Sequence, residues 1–185
     1  YNPLLFKIPD GLVILPESSE KDMPKIIELL RDISEGPFAV RSCGREEDGT
    51  FESMAGKFHS ELFVKLENIP EAIEKVRTSF KDSRSTSSVL IQEMISPDYA
   101  GVLFSRSPEN FGLSSCEFCR GTADDLVSGK IEPSRIDFGR WSGKMYQGEK
   151  HLEKLFLVGL IIEEKMGCPQ DIEWAYEMEK EQLYI

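Results

Sequence analysis

Two periods of apolar residues alternate along the chain, one of two residues and one of about three and a half, and they lay out its elements. Gly11-Leu12-Val13-Ile14-Leu15 is a short apolar strand ended by Pro16. Over residues 21–34, Met23, Ile26, Ile27, Leu30 and Ile33 recur at helical spacing, and Gly36-Pro37 stops that helix. Phe38-Ala39-Val40 opens a buried strand that runs into Arg41-Ser42. Residues 43–56 are polar and glycine-containing, carry neither period, and read as a long loop of the kind that serves as a lid. Residues 57–65 alternate as a strand. Residues 69–80 form a second amphipathic helix with Pro70 in its first turn.

After a patternless polar connection over 81–88, Val89 to Ile95 is an apolar strand whose end turns polar. Ser96-Pro97-Asp98 then reads as a tight turn, so the strand over 100–105 is expected to pair with it as a hairpin. Residues 115–119 are a further short strand, and 131–138 an extended segment with Pro133 at a sheet edge. Residues 152–166 form a helix with Leu155, Phe156, Leu160, Ile161 and Ile162 apolar, closed by Gly167. Residues 170–176 form a strand that Gln182-Leu183-Tyr184-Ile185 joins as a hairpin. Strands outnumber helices without a βαβ repeat, which predicts an α+β fold.

With 185 residues the chain suffices for one core, or for two small lobes around a cleft. Residues 1–88 are expected as a first lobe and 89–185 as a second. A net charge of −11 argues against a broad nucleic-acid or anionic-membrane surface, though local basic groups and a metal still permit a nucleotide. No apolar run reaches transmembrane length and no signal peptide is visible, so the expected compartment is cytoplasmic. The chain does not begin with Met, and the expectation is a piece of something longer. Cys43, Cys116, Cys119 and Cys168 make no disulfide scaffold; the lone CxxC reads as structural thiols ahead of zinc.

The chemistry concentrates in Gly167-Cys168-Pro169-Gln170-Asp171-Ile172-Glu173-Trp174-Ala175-Tyr176. With a period of two, Asp171, Glu173 and Ala175 share one strand face, and Ile172, Trp174 and Tyr176 the other. The two carboxylates then stand side by side, roughly 7 Å apart on strand geometry. Two readings stay open: a wet acidic face, or a pair of hard oxygen ligands for Mg²⁺ beside a phosphate. Arg41 ends a buried strand, where open sheets present functional groups, although an isolated surface arginine is the plainer reading. Ser142-Gly143-Lys144 is no P-loop, because Phe138 stands where the first glycine belongs and Met145 where Ser or Thr belongs. His59 reads as capping or packing on its strand, and His151 as an exposed residue at a helix start.

Several segments together resemble one family, the nucleotide-binding part of phosphoenolpyruvate synthase and pyruvate phosphate dikinase. Phe38-Ala39-Val40-Arg41-Ser42 resembles its AVRSS strand, with Cys43 in place of the second serine. Glu46-Glu47-Asp48 and Ala55-Gly56-Lys57 resemble its AED and AGQ segments. Gln92-Glu93-Met94-Ile95 resembles VQxMV, and residues 100–108 resemble the SGVxFTxNP segment. The run from Glu117 to Gly129 resembles an acidic segment ending in VVSG, and residues 169–175 match PQDIEWA almost letter for letter.

The resemblance implies an ATP-grasp fold, two lobes closing over Mg-ATP (ATP and Mg²⁺ as cofactors). It implies phosphoryl transfer to a histidine on a separate swivelling domain, in cis or in trans. By position, Arg41 and Ser42 are expected at the ATP phosphates. Gln92, Glu93, Met94 and Ile95 are expected to read adenine, and Asp124 to contact the ribose, one methylene shorter than the family's glutamate. Asp171 and Glu173 are expected at the triphosphate, Glu173 as the better metal ligand and Asp171 as a second. Arg106 falls where some members carry an arginine near the transferred phosphate. The sequence lacks a lysine that family members carry before the first strand and a Gln-x-Arg after the last. A second expectation is therefore a non-catalytic ATP-grasp-like module that holds a nucleotide or a partner.

Overall fold

The computed structural model describes residues 5–43, 60–79, 88–123, 126, 131–141 and 150–185. The chain divides into two compact units, Pro9–Met94 and Tyr1–Ile8 with Ile95–Ile185. Both are α+β.

In the unit Pro9–Met94, strands β1 (Gly11–Ile14), β2 (Phe38–Cys43), β3 (Ser60–Val64) and β4 (Ser88–Glu93) form one antiparallel sheet in the order β1-β4-β2-β3. Helices α1 (Met23–Ile33) and α2 (Ile69–Ser79) cover one face. The reason lies in the alternation. Leu12, Ile91 and Val40 are directly paired across three strands, as are Ile14, Val89 and Ser42, so their side chains share a face. Ile26 and Leu30 of α1, and Ile69, Ala72, Ile73 and Val76 of α2, complete the core with them. Helix α1 begins with Pro24 in its first turn, where a missing N–H costs nothing.

In the other unit, β5 (Tyr99–Phe104), β6 (Leu113–Arg120), β7 (Ser134–Gly139), β8 (Asp171–Glu177) and β9 (Gln182–Tyr184) form an antiparallel sheet in the order β7-β6-β5-β8-β9. Pro133 precedes β7, an edge strand, as expected for a residue that cannot donate to a ladder. Helix α3 (Lys150–Met166) packs Leu152, Leu155, Phe156 and Val158 against Leu103, Cys116, Ile172, Trp174 and Tyr176. A side chain at Gly159 would collide with Leu103 and touch Ile172, so glycine lets the helix approach the sheet closely. Gly167 ends α3 with φ +73°, a left-handed cap that disfavours other residues.

Three expectations change. The predicted hairpin of β4 with β5 does not form: β4 pairs with β1 and β2, and β5 with β6 and β8. Each strand has both edges occupied, so neither can accept the other. Asp98, read as a turn residue, instead accepts the Met178 N–H on its carboxylate at 2.7 Å. The expected division after residue 88 and the unit division after Met94 differ by β4, which lies hydrogen-bonded inside the first sheet. His151 is 6% exposed rather than exposed at the helix start. Its ring stacks on Tyr176 at 4.7 Å and on Tyr99 at 5.4 Å between centroids. Among the described residues, no helix is long and apolar enough to cross a membrane.

Candidate functional site

Each sheet has a second face turned away from its helices, and four of the predicted site residues, Arg41, Gln92, Asp171 and Glu173, fall on these two faces. In the five-stranded sheet, the paired rows fix what that face carries. Asp171 is directly opposite Phe104, which is opposite Ser115, which is opposite Asp137. One step along, Glu173 is opposite Val102, then Glu117, then Arg135. Directly paired residues project to the same side. Asp171 and Glu173 thus share a face with two further carboxylates and one guanidinium, while Ile172, Trp174 and Tyr176 are buried on the other side.

Arg135 is a counter-charge on this face. It grips Glu109 at 3.1 and 2.8 Å, bonds Asp137 at 3.2 Å and lies 3.9 Å from Glu117. The Ser115 hydroxyl, first, and Arg135 hold the Asp137 carboxyl below its ordinary range. Asp171 behaves oppositely. Its residue surface is largely exposed, yet protein atoms around the carboxyl desolvate it and push its pKa up. A carboxylate whose charge is disfavoured in the free chain, beside a second one at Glu173, suits a divalent cation. Among the described residues no three His, Cys, Asp or Glu side chains converge as a ready-made metal cage. A Mg²⁺ ion held here would take one or two carboxylates and complete its shell with water and phosphate oxygens, the usual pattern for that ion.

The four-stranded sheet has its own open face. Val13, Leu90, Arg41 and Ser60 form one paired row, and Gly11, Gln92 and Ala39 the next. Arg41 and Gln92 are therefore neighbours on one face, beside apolar Leu90, Val13 and Ala39. The Gln92 amide lies 3.5 Å from the Pro9 carbonyl. Ser42, the next residue, is buried and turned to the helix side with Val89 and Ile14. Glu93 pairs with Phe38, also on the helix side, and its N–H bonds the Asp10 carbonyl at 2.8 Å. The Met94 N–H bonds the Pro37 carbonyl at 3.0 Å. Ile95 begins the other unit's share of the chain.

Arg106 is not on the carboxylate face. It donates Nε to Glu163 of α3 at 2.9 Å, where Arg140 also binds. Asp124, the lid stretch 44–56, Lys57 and His59 lie outside the described residues. The CxxC thiols separate in burial: Cys116 is enclosed and pushed up to about 12, chiefly by burial, while Cys119 bonds the Thr122 carbonyl at 3.4 Å.

Sequence reasoning missed Glu163, Arg140 and Arg135. The signal for Glu163 was present, because Leu152, Phe156 and Gly159 put it on the buried face of α3, where a carboxylate requires partners. Arg135 and Asp137 alternate with Ile136, the mark of a polar strand face.

Comparison with known proteins gives this geometry a context. Residues 13–150 match the family model of the pyruvate phosphate dikinase AMP/ATP-binding domain. The chain is 26% identical to a probable phosphoenolpyruvate synthase of Archaeoglobus fulgidus, over 80% of this chain and 26% of that protein. It is 25% identical to phosphoenolpyruvate synthase of Pyrococcus furiosus, over 80% of this chain and 25% of the relative. It is 28% identical to rifampicin phosphotransferase of Bacillus cereus, over 76% and 22%. The chain thus spans about a quarter of the length of these curated relatives. A crystal structure of D-alanyl-alanine synthetase A from Vibrio cholerae superposes with a TM-score of 0.51 at 13% identity, covering 96% of this chain and 49% of that one. The fold is ATP-grasp-like.

Proposed function

Since this chain belongs to the pyruvate phosphate dikinase AMP/ATP-binding domain family, we propose that it binds Mg-ATP as the nucleotide-holding part of a phosphotransferase. The observation that carries the metal half of this reading is the placing of Asp171 and Glu173 together on the face of β8 turned away from α3. Glu173 is the principal ligand and Asp171 the second; the ion supplies charge neutralisation along the phosphates. Arg41 of β2 contributes a fixed positive charge to the phosphates, while Ser42, buried on the helix side, does not reach them through its side chain. Leu90, Val13 and Gln92, on Arg41's face, give a flat base an apolar rest and an amide partner. The stretch Gln92 to Ile95 reads the adenine edge, and Asp124 holds the ribose.

Phosphoryl transfer asks little of this chain beyond position and charge, because the developing charge is spread over phosphate oxygens. The acceptor is a histidine on a separate swivelling domain, in cis or in trans. Neither His151, stacked between two tyrosines, nor any nucleophile on the carboxylate face competes for that role among the described residues. The units Pro9–Met94 and Tyr1–Ile8 with Ile95–Ile185 serve as the two lobes, and the compartment is cytoplasmic, where the four free thiols stay reduced. Thermal melting with millimolar nucleotide tests the binding. Mg-ATP should raise Tm, since a ligand that binds only the native state stabilises it. No shift with ATP, with or without Mg²⁺, overturns the reading.

A further inference from the structure

Asp171 enters β8 through a rung of the sheet in which a side chain does the work of a backbone carbonyl. Phe104 and Asp171 are directly paired, so the next rung belongs to Ser105 and Gln170. The Ser105 N–H bonds the Gln170 carbonyl at 2.8 Å. In a regular antiparallel ladder the residues of such a rung exchange both backbone bonds. Here the return bond differs: the Gln170 N–H donates to the Ser105 hydroxyl at 2.7 Å. The Ser105 carbonyl serves other donors, the Ser114 hydroxyl at 2.7 Å and Arg140 Nη1.

This hydroxyl is a fixed anchor. Ser105 is 1% exposed, so water does not compete for the bond. Two residues past Leu103 of the core, it lies on the α3 side, and its own proton goes to the buried Glu163 carboxylate. With that proton committed, an oxygen lone pair is left for Gln170. Pro169 has no N–H, so Gln170 carries the first backbone donor after Cys168 on the way into β8. Asp171 comes next and projects to the opposite face, beside Phe104.

From this we infer that Ser105 is a positioning residue for the proposed metal site: by holding the Gln170 N–H it fixes how Asp171 leaves the turn, and so sets its carboxylate on the face shared with Glu173. The inference rests on the Mg-ATP reading above. In this role Ser105 touches neither ion nor nucleotide and acts through the backbone alone.

Calorimetric titrations of Mg-ATP, and of ATP with the metal chelated, test it on wild type, Ser105→Ala, Ser105→Thr, Asp171→Asn and the Ser105→Ala/Asp171→Asn double variant. Threonine keeps the hydroxyl and is the residue in the SGVxFTxNP segment that residues 100–108 resemble. Ser105→Ala should bind Mg-ATP about fivefold more weakly, the scale of one hydrogen bond, and metal-free ATP as wild type does. Ser105→Thr should match wild type. The double variant should be no worse than Asp171→Asn, because no carboxylate is then left at 171 to place. If Ser105→Ala does not fold, Ser105→Cys, whose thiol is a poor acceptor, takes its place with the same expectations. Unchanged Mg-ATP affinity, an equal loss for metal-free ATP, a loss in Ser105→Thr as large as in Ser105→Ala, or additive losses would overturn the inference. A wild type that binds Mg-ATP alongside an unaltered Ser105→Ala removes this inference alone; a wild type blind to Mg-ATP removes the nucleotide reading with it.

Discussion

Glu173 and Glu117 stand in one cross-strand row, each directly opposite Val102 of the strand between them. Two carboxylates two strands apart are roughly 10 Å from each other on sheet spacing, too far for a shared proton and near enough to shape one negative field. Arg135 closes the far end of the row, 3.9 Å from Glu117. Glu173 and Asp171 stand at the opposite end of these rows from Arg135.

Asp171 should be a stabilising site to neutralise. Its folded pKa is raised above 3.8 by desolvation, so the native state binds the proton more readily than the unfolded chain. Stability from this group is present at low pH and is lost as pH rises through the folded pKa. Asp171→Asn should raise Tm at pH 7 by about 1 °C, a surface-scale effect, with the gain vanishing toward pH 3. Melting curves across that range check it; a lower Tm at pH 7 contradicts it.

Glu163 has the opposite sign. Burial works to raise its pKa, but hydrogen bonds from Ser105, Arg140 and Arg106 outweigh it, and the folded value is lowered from 4.5. Its stabilisation is then complete above 4.5 and is lost as pH falls through the lowered folded value. Glu163→Gln should cost about 3 kcal/mol at pH 7, the scale for stripping one partner from a buried ion network. The difference from wild type should narrow on acidification below pH 4.5. Urea melts at pH 7 and pH 3.5 read both; a gap that widens in acid contradicts the sign.

His151 should behave as a core residue. It is packed between Tyr176 and Tyr99, with Trp174 at 6.4 Å. Truncation in His151→Ala removes these three ring contacts and leaves a cavity, for a loss of about 2 kcal/mol. Chemical denaturation measures it. A change within about half a kcal/mol, the usual range for an exposed site, would contradict the packing.

Local periodicity made most of the elements legible. The alternation through Asp171, Ile172, Glu173, Trp174, Ala175 and Tyr176 appears unchanged in the burial of β8. Helices α1 and α2 start and stop within about two residues of the predicted bounds wherever the chain is described. Strand pairing was less legible, because it depends on which edges remain free. The β4–β5 hairpin looked right locally and failed because β1 and β2 already flank β4. His151 was misplaced for a related reason: a polar residue at a helix start looks solvent-facing until β5 and β8 bring Tyr99 and Tyr176 over it. The carboxylate pair was readable from one strand alone. The rows that join it to Glu117, Ser115, Asp137 and Arg135 needed the register of four strands.

The most direct measurement is calorimetric titration of Mg-ATP into wild type and Glu173→Gln, paired with melting of each protein without ligand. If Glu173 is a metal ligand, Glu173→Gln should weaken Mg-ATP binding. Mg-ATP affinity should fall by about 2 kcal/mol, roughly thirtyfold, the scale of a lost charged contact. A destabilised free protein whose nucleotide affinity matches wild type would contradict the metal-site assignment.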